Sequence, residues 1–472
     1  MNFVSSVFVL FFIIVFLVYW RLNHRSQNLF LLSASLFFYG FWDYRLLPLI
    51  LLSATIDFAA GINLVGSRSA AAKRGFLALS IVSNLGLLGF FKYADFCVTS
   101  FASMLMFFGF YPSLPTLEII LPVGISFYTF QSMSYTIDIY RGRLKPTRRY
   151  LDFLLYVSFF PQLVAGPIER AERLLPRILK PRRKLTTAFA THAIKLIIVG
   201  YFQKVAIADT LAPIAESTFS RFRDLDSVSI LIGVYVFAIQ IYCDFSGYSK
   251  IARGTAGLLG ISLVKNFDQP YFSRSCRELW TRWHISLSSW LRDYVYIPLG
   301  GNRISEKRTR RNLILTMLLG GIWHGAGWNF VVWGAIHGSY LIGGRVRNKP
   351  KRPDLRLLHW RNLAKMVLMF HLVCFTWIFF RCHDLGDATD MIIKLIDFSA
   401  EIPGLELVYL LVYGTLVLVL DYHLEMTSRR RGYLVALFSR NWLLETVLLT
   451  AMLLLALLVG GGQNAPFIYF QF

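Results

Sequence analysis

The chain has 472 residues, is 56% hydrophobic and carries a formal net charge of +22, with a mean hydropathy of +0.52. Soluble folds do not hold this much apolar sequence, and the Lys and Arg excess sits in short loops between apolar runs, so it is the positive-inside pattern of a polytopic helical membrane protein and no nucleic-acid footprint. No stretch has the length or composition of a separate soluble domain, and residues 1–472 read as one membrane-embedded domain.

The first apolar run, 3–20, has neither a basic leader nor a small-residue cleavage site, so it reads as a retained span. Arg21 and Arg25 place the following loop in the cytoplasm and the N-terminus outside. Runs 29–41 and 46–64 follow, then a basic loop with Arg68, Lys73 and Arg74. Three apolar runs, 76–91, 96–110 and 118–140, then precede the basic loop 141–149. Three crossings would put that loop on the wrong side, so at least one run should not cross. Pro122-Val123-Gly124 marks a natural place for an interrupted helix. Run 151–164 also lies between basic loops, 141–149 and 170–184, and should dip in and return.

Runs 191–211 and 229–242 read as clear crossings, followed by the glycine-rich, moderately apolar 254–272. Late in the chain, 366–380 should cross outward to an acidic external loop holding Asp384, Asp387, Asp390, Asp397 and Glu401. Run 405–420 returns, a basic loop with Arg429–Arg431 and Arg440 follows, and 442–459 crosses outward, leaving 467–472 outside. The sum is about ten or eleven crossings plus re-entrant and interfacial pieces around a central cavity: an all-α membrane fold.

Two stretches carry chemistry. Between Asn312 and Tyr340 two apolar runs flank Gly320-Gly321-Ile322-Trp323-His324-Gly325-Ala326-Gly327-Trp328-Asn329, with basic loops 303–311 and 345–361 at the ends. That is a hairpin entering the membrane from one side, with His324 at its apex. Thirteen residues separate Arg311 from His324, roughly 20 Å of helix, short of the roughly 30 Å hydrocarbon thickness. An imidazole at such depth is a functional-site hypothesis by default. Gly320, Gly321, Gly325 and Gly327 allow close approach of another group. His337 is expected to serve packing or to support a neighbouring site residue rather than to act itself.

The second stretch, 277–301, is expected to form an amphipathic interfacial helix, with Trp280, Trp283, His284, Leu287, Leu291 and Tyr294 on one face and Arg282, Ser286, Ser289 and Asp293 opposite. An anchor explains the tryptophans; His284 among them needs a partner or a task. Asp57, Asp138 and Asp244, in or at the ends of apolar runs, are open to structural pairing or to orienting a histidine. The five cysteines show no metal spacing, and neither a metal site, a P-loop nor a dinucleotide fingerprint is expected.

Glu278-Leu279-Trp280-Thr281-Arg282-Trp283-His284-Ile285-Ser286-Leu287-Ser288 and Gly320-Gly321-Ile322-Trp323-His324-Gly325 resemble the signature motifs of the membrane-bound O-acyltransferases, alginate O-acetylase branch. The stretches 122–131, Ala165-Gly166-Pro167-Ile168, Asp244-Phe245-Ser246-Gly247-Tyr248-Ser249 and Tyr469-Phe470-Gln471-Phe472 match in order, so the resemblance spans nearly the whole chain. It departs at the more basic Lys250–Thr255 and in a short tail between Phe380 and Arg440.

The resemblance implies a multi-pass enzyme of a bacterial inner membrane. It would take an acyl group, acetyl from acetyl-CoA, arriving from the cytoplasm, and pass it towards hydroxyls of an extracytoplasmic polysaccharide such as alginate, cellulose or peptidoglycan, directly or through a periplasmic partner protein. His324 would be the general base and His284 would polarise the thioester or position the acceptor. An acyl-histidine relay is the variant mechanism. Trp280, Arg282, Trp283, Asp244, Trp323 and Asn329, in or beside the motifs, are the expected substrate contacts. No cofactor is expected beyond the acyl donor. The competing readings are a transporter or flippase whose histidines relay protons, and a scaffold for a polysaccharide-secretion complex.

Overall fold

The computed structural model describes residues 1–112, 119–164, 166–182, 184–344, 359–401, 404–428, 442–460 and 467–468. Among these there is no β-strand. Seven helical stretches are long and apolar enough to cross a membrane, and Ser6–Tyr19 is a shorter apolar helix. The chain is therefore the polytopic helical protein its sequence implies. Most of the basic loop 345–361, the loop around Arg429–Arg431 and Arg440, Ala165, and the motif Tyr469–Phe472 lie outside the described residues. Two compact units emerge, one of Met1–Ile197 with Tyr248–Val264, the other of Ile198–Gly247 with Lys265–Phe472.

In the first unit, Ser5 and Asn23 cap the starts of Ser6–Tyr19 and His24–Asp43 by accepting the N–H groups of Phe8 and Ser26. A single 3₁₀ turn, Tyr44–Leu46, joins His24–Asp43 to Leu47–Gly66. The apolar runs 76–91 and 96–110 prove to be parts of one helical rod, Ala70–Phe107, 38 residues long. Lys92 and Asp95 interrupt its hydrophobicity without breaking its backbone, which only loosens into a π turn over Gly89–Tyr93. One rod and the helix Ile125–Tyr140 then stand between the basic loops, an even count that satisfies the charge rule.

Gly124 starts Ile125–Tyr140 with φ +76°, and its missing side chain leaves room for the Leu163 carbonyl. The segment expected to dip and return is Tyr150–Ser158 followed by Phe160–Leu163. Nine residues span about 14 Å, too short to cross. Its irregular backbone is satisfied by protein: Ser35 Oγ accepts the Phe160 N–H (3.1 Å), and the Tyr156 carbonyl accepts from Gln162 (2.9 Å) and Gln131 (2.5 Å).

In the second unit the hairpin is present as Glu306–His324 and Trp328–Gly343. Its two helices meet backbone to backbone. A methyl group on Gly321 would strike the Phe330 carbonyl, one on Gly334 would lie 2.5 Å from the Met317 carbonyl oxygen, and one on Gly338 would lie 3.1 Å from the Ile314 Cα. Small residues permit this approach where the hydrophobic effect cannot drive association. Asn329, just beyond the apex, donates to the Cys382 carbonyl (3.0 Å) and ties the hairpin tip to the end of Trp360–Arg381.

The Gly321→Ala variant should lower the thermal midpoint of the detergent-solubilised protein, because forcing the helices apart costs about 1–3 kcal/mol. Gly86→Ala, where an added methyl meets nothing within 4 Å, should leave the midpoint unchanged or slightly raised.

Candidate active site

The stretch 277–301 is not one helix. Cys276–Arg282 ends at Trp283, and Ile285–Leu291 begins anew after His284. His284 is left-handed, with φ 42° and ψ 54°, a conformation that costs a non-glycine residue roughly 1–2 kcal/mol. Asn266 holds the break: its carbonyl accepts the Ile285 N–H (2.9 Å) and its side-chain oxygen the Ser286 N–H (3.3 Å). The expected single amphipathic face is therefore broken at its histidine. Trp283, Leu287, Trp290 and Leu291 are buried in protein, which corrects the surface-anchor reading.

The His284 ring caps the new helix. Its Nδ1 accepts the Leu287 N–H at 3.3 Å, so the neutral ring carries its proton on Nε2 and can donate from there. The ring is fully buried, packed by Phe245 at 4.7 Å and Trp323 at 5.8 Å between centroids. His284 lies outside the seven spanning helices. Burial pushes its pKa from 6.5 down to about 3, so the ring is neutral at ordinary pH.

His324 is the last residue of the first hairpin helix and is buried. Trp323, Trp333 and Phe380 frame it at 5.0, 5.1 and 5.2 Å between ring centroids. The His284 and His324 rings lie 6.3 Å apart, inclined by 74°. Forty residues of sequence separate them, and the fold brings the two rings side by side. A base on one side and an N–H donor on the other, in an aromatic setting poor in water, suit attack on a carbonyl.

The other expected contacts are placed variously. Trp323 touches both histidine rings. Trp283 packs on Phe267 and Trp377, both at 5.1 Å, and Trp280 on Trp333 and His337, at 5.8 and 5.2 Å, one ring further out. Arg282 pairs with Glu278 (3.1 Å) and donates to the Asp268 carbonyl (3.1 Å), bracing the turn before His284. Asp244 lies in a buried ion cluster, 2.6 Å from Lys204 Nζ, and Asn329 ties the hairpin tip as described. His337 bonds Thr376 Oγ1 at 3.1 Å, a packing role. Asp57, in the first unit, accepts from Ser80 (2.5 Å) and Asn84 (2.8 Å).

Asn266, Phe245, Trp333 and Phe380 were not among the candidates. Asn266 and Phe245 meet His284 from 18 and 39 residues upstream; Phe245 lies in the matching stretch Asp244–Ser249, and Asn266 is marked only by the turn-forming composition of Asn266–Pro270. Among the described residues one group with metal-binding potential, His383, Asp384 and Asp387, has ligand atoms within 4.8 Å of one another. It is largely solvent-exposed, and Asp387 already pairs with Arg223 at 2.7 Å.

A profile of the membrane-bound O-acyltransferase family matches residues 145–383, which include both histidines. The chain is 42% identical to a probable alginate O-acetylase (AlgI) of Azotobacter vinelandii over 84% of this chain and 79% of that protein. It is 35% identical to a peptidoglycan O-acetyltransferase of Helicobacter pylori over 84% and 79% respectively. With a teichoic acid D-alanyltransferase of Streptococcus thermophilus it shares 33% identity over 47% of this chain and 56% of the relative.

The buried His284 makes stability pH-dependent in a fixed direction. Its folded pKa lies below its unfolded one, so the unfolded state binds the extra proton; the stabilisation is complete above pH 6.5 and is lost as pH falls towards 3. Each pH unit below 6.5 should therefore lower the stability further. His284→Asn, which tolerates the left-handed turn and keeps a capping oxygen, should unfold with a visibly flatter pH dependence between 6.5 and 5 than the wild type.

Proposed function

The chain belongs to the membrane-bound O-acyltransferase family, and on that footing we propose that it carries acetyl groups from acetyl-CoA, at the cytoplasmic face of a bacterial inner membrane, to hydroxyls of an extracytoplasmic polysaccharide. The observation that carries this reading is the pairing of two buried imidazoles, one from each signature motif, 6.3 Å apart across a shared tryptophan. The family and its named relatives make the chain a multi-pass membrane O-acyltransferase. That favours an enzyme over a flippase or a scaffold.

In the proposed reaction His324 takes the proton of the acceptor hydroxyl as its oxygen attacks the thioester carbonyl carbon. The carbonyl oxygen gains negative charge and accepts a hydrogen bond from His284 Nε2–H, whose tautomer is fixed by the Leu287 N–H on the other nitrogen. The C–O bond forms, the C–S bond breaks, and the proton on His324 passes to the departing thiolate.

The acceptor polymer lies outside, so we assign the final delivery to a periplasmic partner protein, with acyl donor and acceptor reaching the histidines from opposite faces. Relatives named for alginate and peptidoglycan O-acetylation support a polysaccharide acceptor and an acetyl cargo. The basic loops support a phosphate-bearing donor from the cytoplasm.

His324→Ala, inserted in the membrane and eluting as the wild type does, should lose acetyl transfer from labelled acetyl-CoA by about 10²–10⁴-fold, the usual weight of a general base. His383→Ala, at an exposed histidine, should transfer normally. Wild-type rates in His324→Ala would end the catalytic reading.

A further inference from the structure

Three buried charges in the second unit have no part in the reaction above. Lys204 Nζ lies 2.8 Å from Asp209 and 2.6 Å from Asp244, with all three side chains almost wholly shielded. Gly247 makes this possible: a methyl group there would lie 2.6 Å from the Gly200 carbonyl oxygen and 2.9 Å from the Lys204 nitrogen, so the two helices touch and Lys204 faces Asp244. Burying ions is costly, and a hydrophobic trio of equal volume would pack as well, so such a cluster is best explained by something it must hold in place.

The held object is visible in the second oxygen of Asp244. Oδ1 takes the lysine; Oδ2 accepts the main-chain N–H of Ile468 at 2.7 Å, from 224 residues further along the chain. This bond seats the neighbouring Phe467, whose ring packs against Phe245 at 5.6 Å between centroids. Phe245 follows Asp244 in sequence and presses on His284 at 4.7 Å. Phe467, Ile468, Phe245 and His284 are each at most 1% exposed. Phe245 is thus clamped between the histidine and a ring delivered from far along the chain.

We infer that Phe467 and Ile468, locked by Asp244, are positioning residues that back Phe245 against His284 and keep water from the imidazole. The effect on the reaction rests on the acyltransferase reading; the shielding itself does not. In an acyltransferase a wet pocket has a defined consequence: water takes the acceptor's place, the thioester is hydrolysed, and acetate and free thiol form without acylated product. A residue needed for folding alone would lower both outcomes together.

The test uses the full chain and reads two quantities. The first, read in detergent micelles, is covalent modification of His284 by diethylpyrocarbonate, which attacks neutral imidazole, located by peptide mass spectrometry. The second, read on native membranes that retain the delivery partner, is the ratio of thiol released from acetyl-CoA to acetyl transferred to a mannuronate oligosaccharide. Wild-type His284 should resist modification. In Phe467→Ala it should react at least about tenfold faster, with transfer falling by about ten- to a hundredfold and the hydrolysis ratio rising, the scale expected when a reacting group is misplaced by about 1 Å. Ile468→Pro, which deletes the N–H that Asp244 receives, should do the same, and Phe467→Leu should restore most of the protection. If His284 in Phe467→Ala, eluting as folded protein, and in Ile468→Pro stays as unreactive as in the wild type, the inference is wrong. If instead His284 becomes reactive while the wild type itself transfers no acetyl, the shield stands and the acyltransferase reading fails.

Discussion

Two helix backbones in direct contact underlie the arrangement of this site. Where Gly321 meets the Phe330 carbonyl and Gly334 meets that of Met317, no side chain intervenes. The hairpin is therefore narrow enough to be surrounded by the aromatic rings of its own unit, and its apex becomes an interior position. A wider hairpin would need side chains between its arms, and His324 would lose the close frame of Trp323, Trp333 and Phe380. Inside a bilayer this contact is the available kind of adhesion, since lipid tails compete equally for any larger apolar surface.

Much of this was legible in the amino-acid sequence, and for a physical reason. The hairpin, its histidine and its glycines are a local pattern: apolar runs, a small-residue tip, basic ends. Such patterns are written contiguously. The break at His284 is not, because the acceptors that stabilise it belong to Asn266, eighteen residues upstream. Helical periodicity alone continues smoothly through that point, so the amphipathic wheel joined what the fold separates. The opposite error occurred at Lys92 and Asp95, where a polar interruption suggested two runs but a π turn carries one helix through. Hydropathy reports where water is tolerated; it does not report whether the backbone breaks. Asp244 and Asn329 show a third case. Both lie in or beside family motifs, yet one is engaged by Lys204 and the Ile468 backbone and the other by the Cys382 carbonyl, partners remote in sequence.

The two histidines are held by different means, and this suits the different work proposed for them. One terminates a long helix and is positioned by the rigid rod behind it and by the aromatic rings that frame it. The other is fixed through its own nitrogen to a backbone amide. A proton acceptor must tolerate a change of charge and small motions of its ring. A hydrogen-bond donor must point one way throughout. The surrounding aromatic side chains serve both by lowering the local dielectric, which strengthens a well-aimed dipole and discourages a stray charge.

The capping bond of His284 has an evolutionary corollary. That imidazole nitrogen is part of the scaffold, so replacing the ring removes the cap of a helix whatever part the ring plays in turnover, whereas His324 stands at the end of its helix. A descendant that abandoned turnover would still be selected to retain this cap. The survival of His284 in a descendant is therefore no sign, by itself, of turnover.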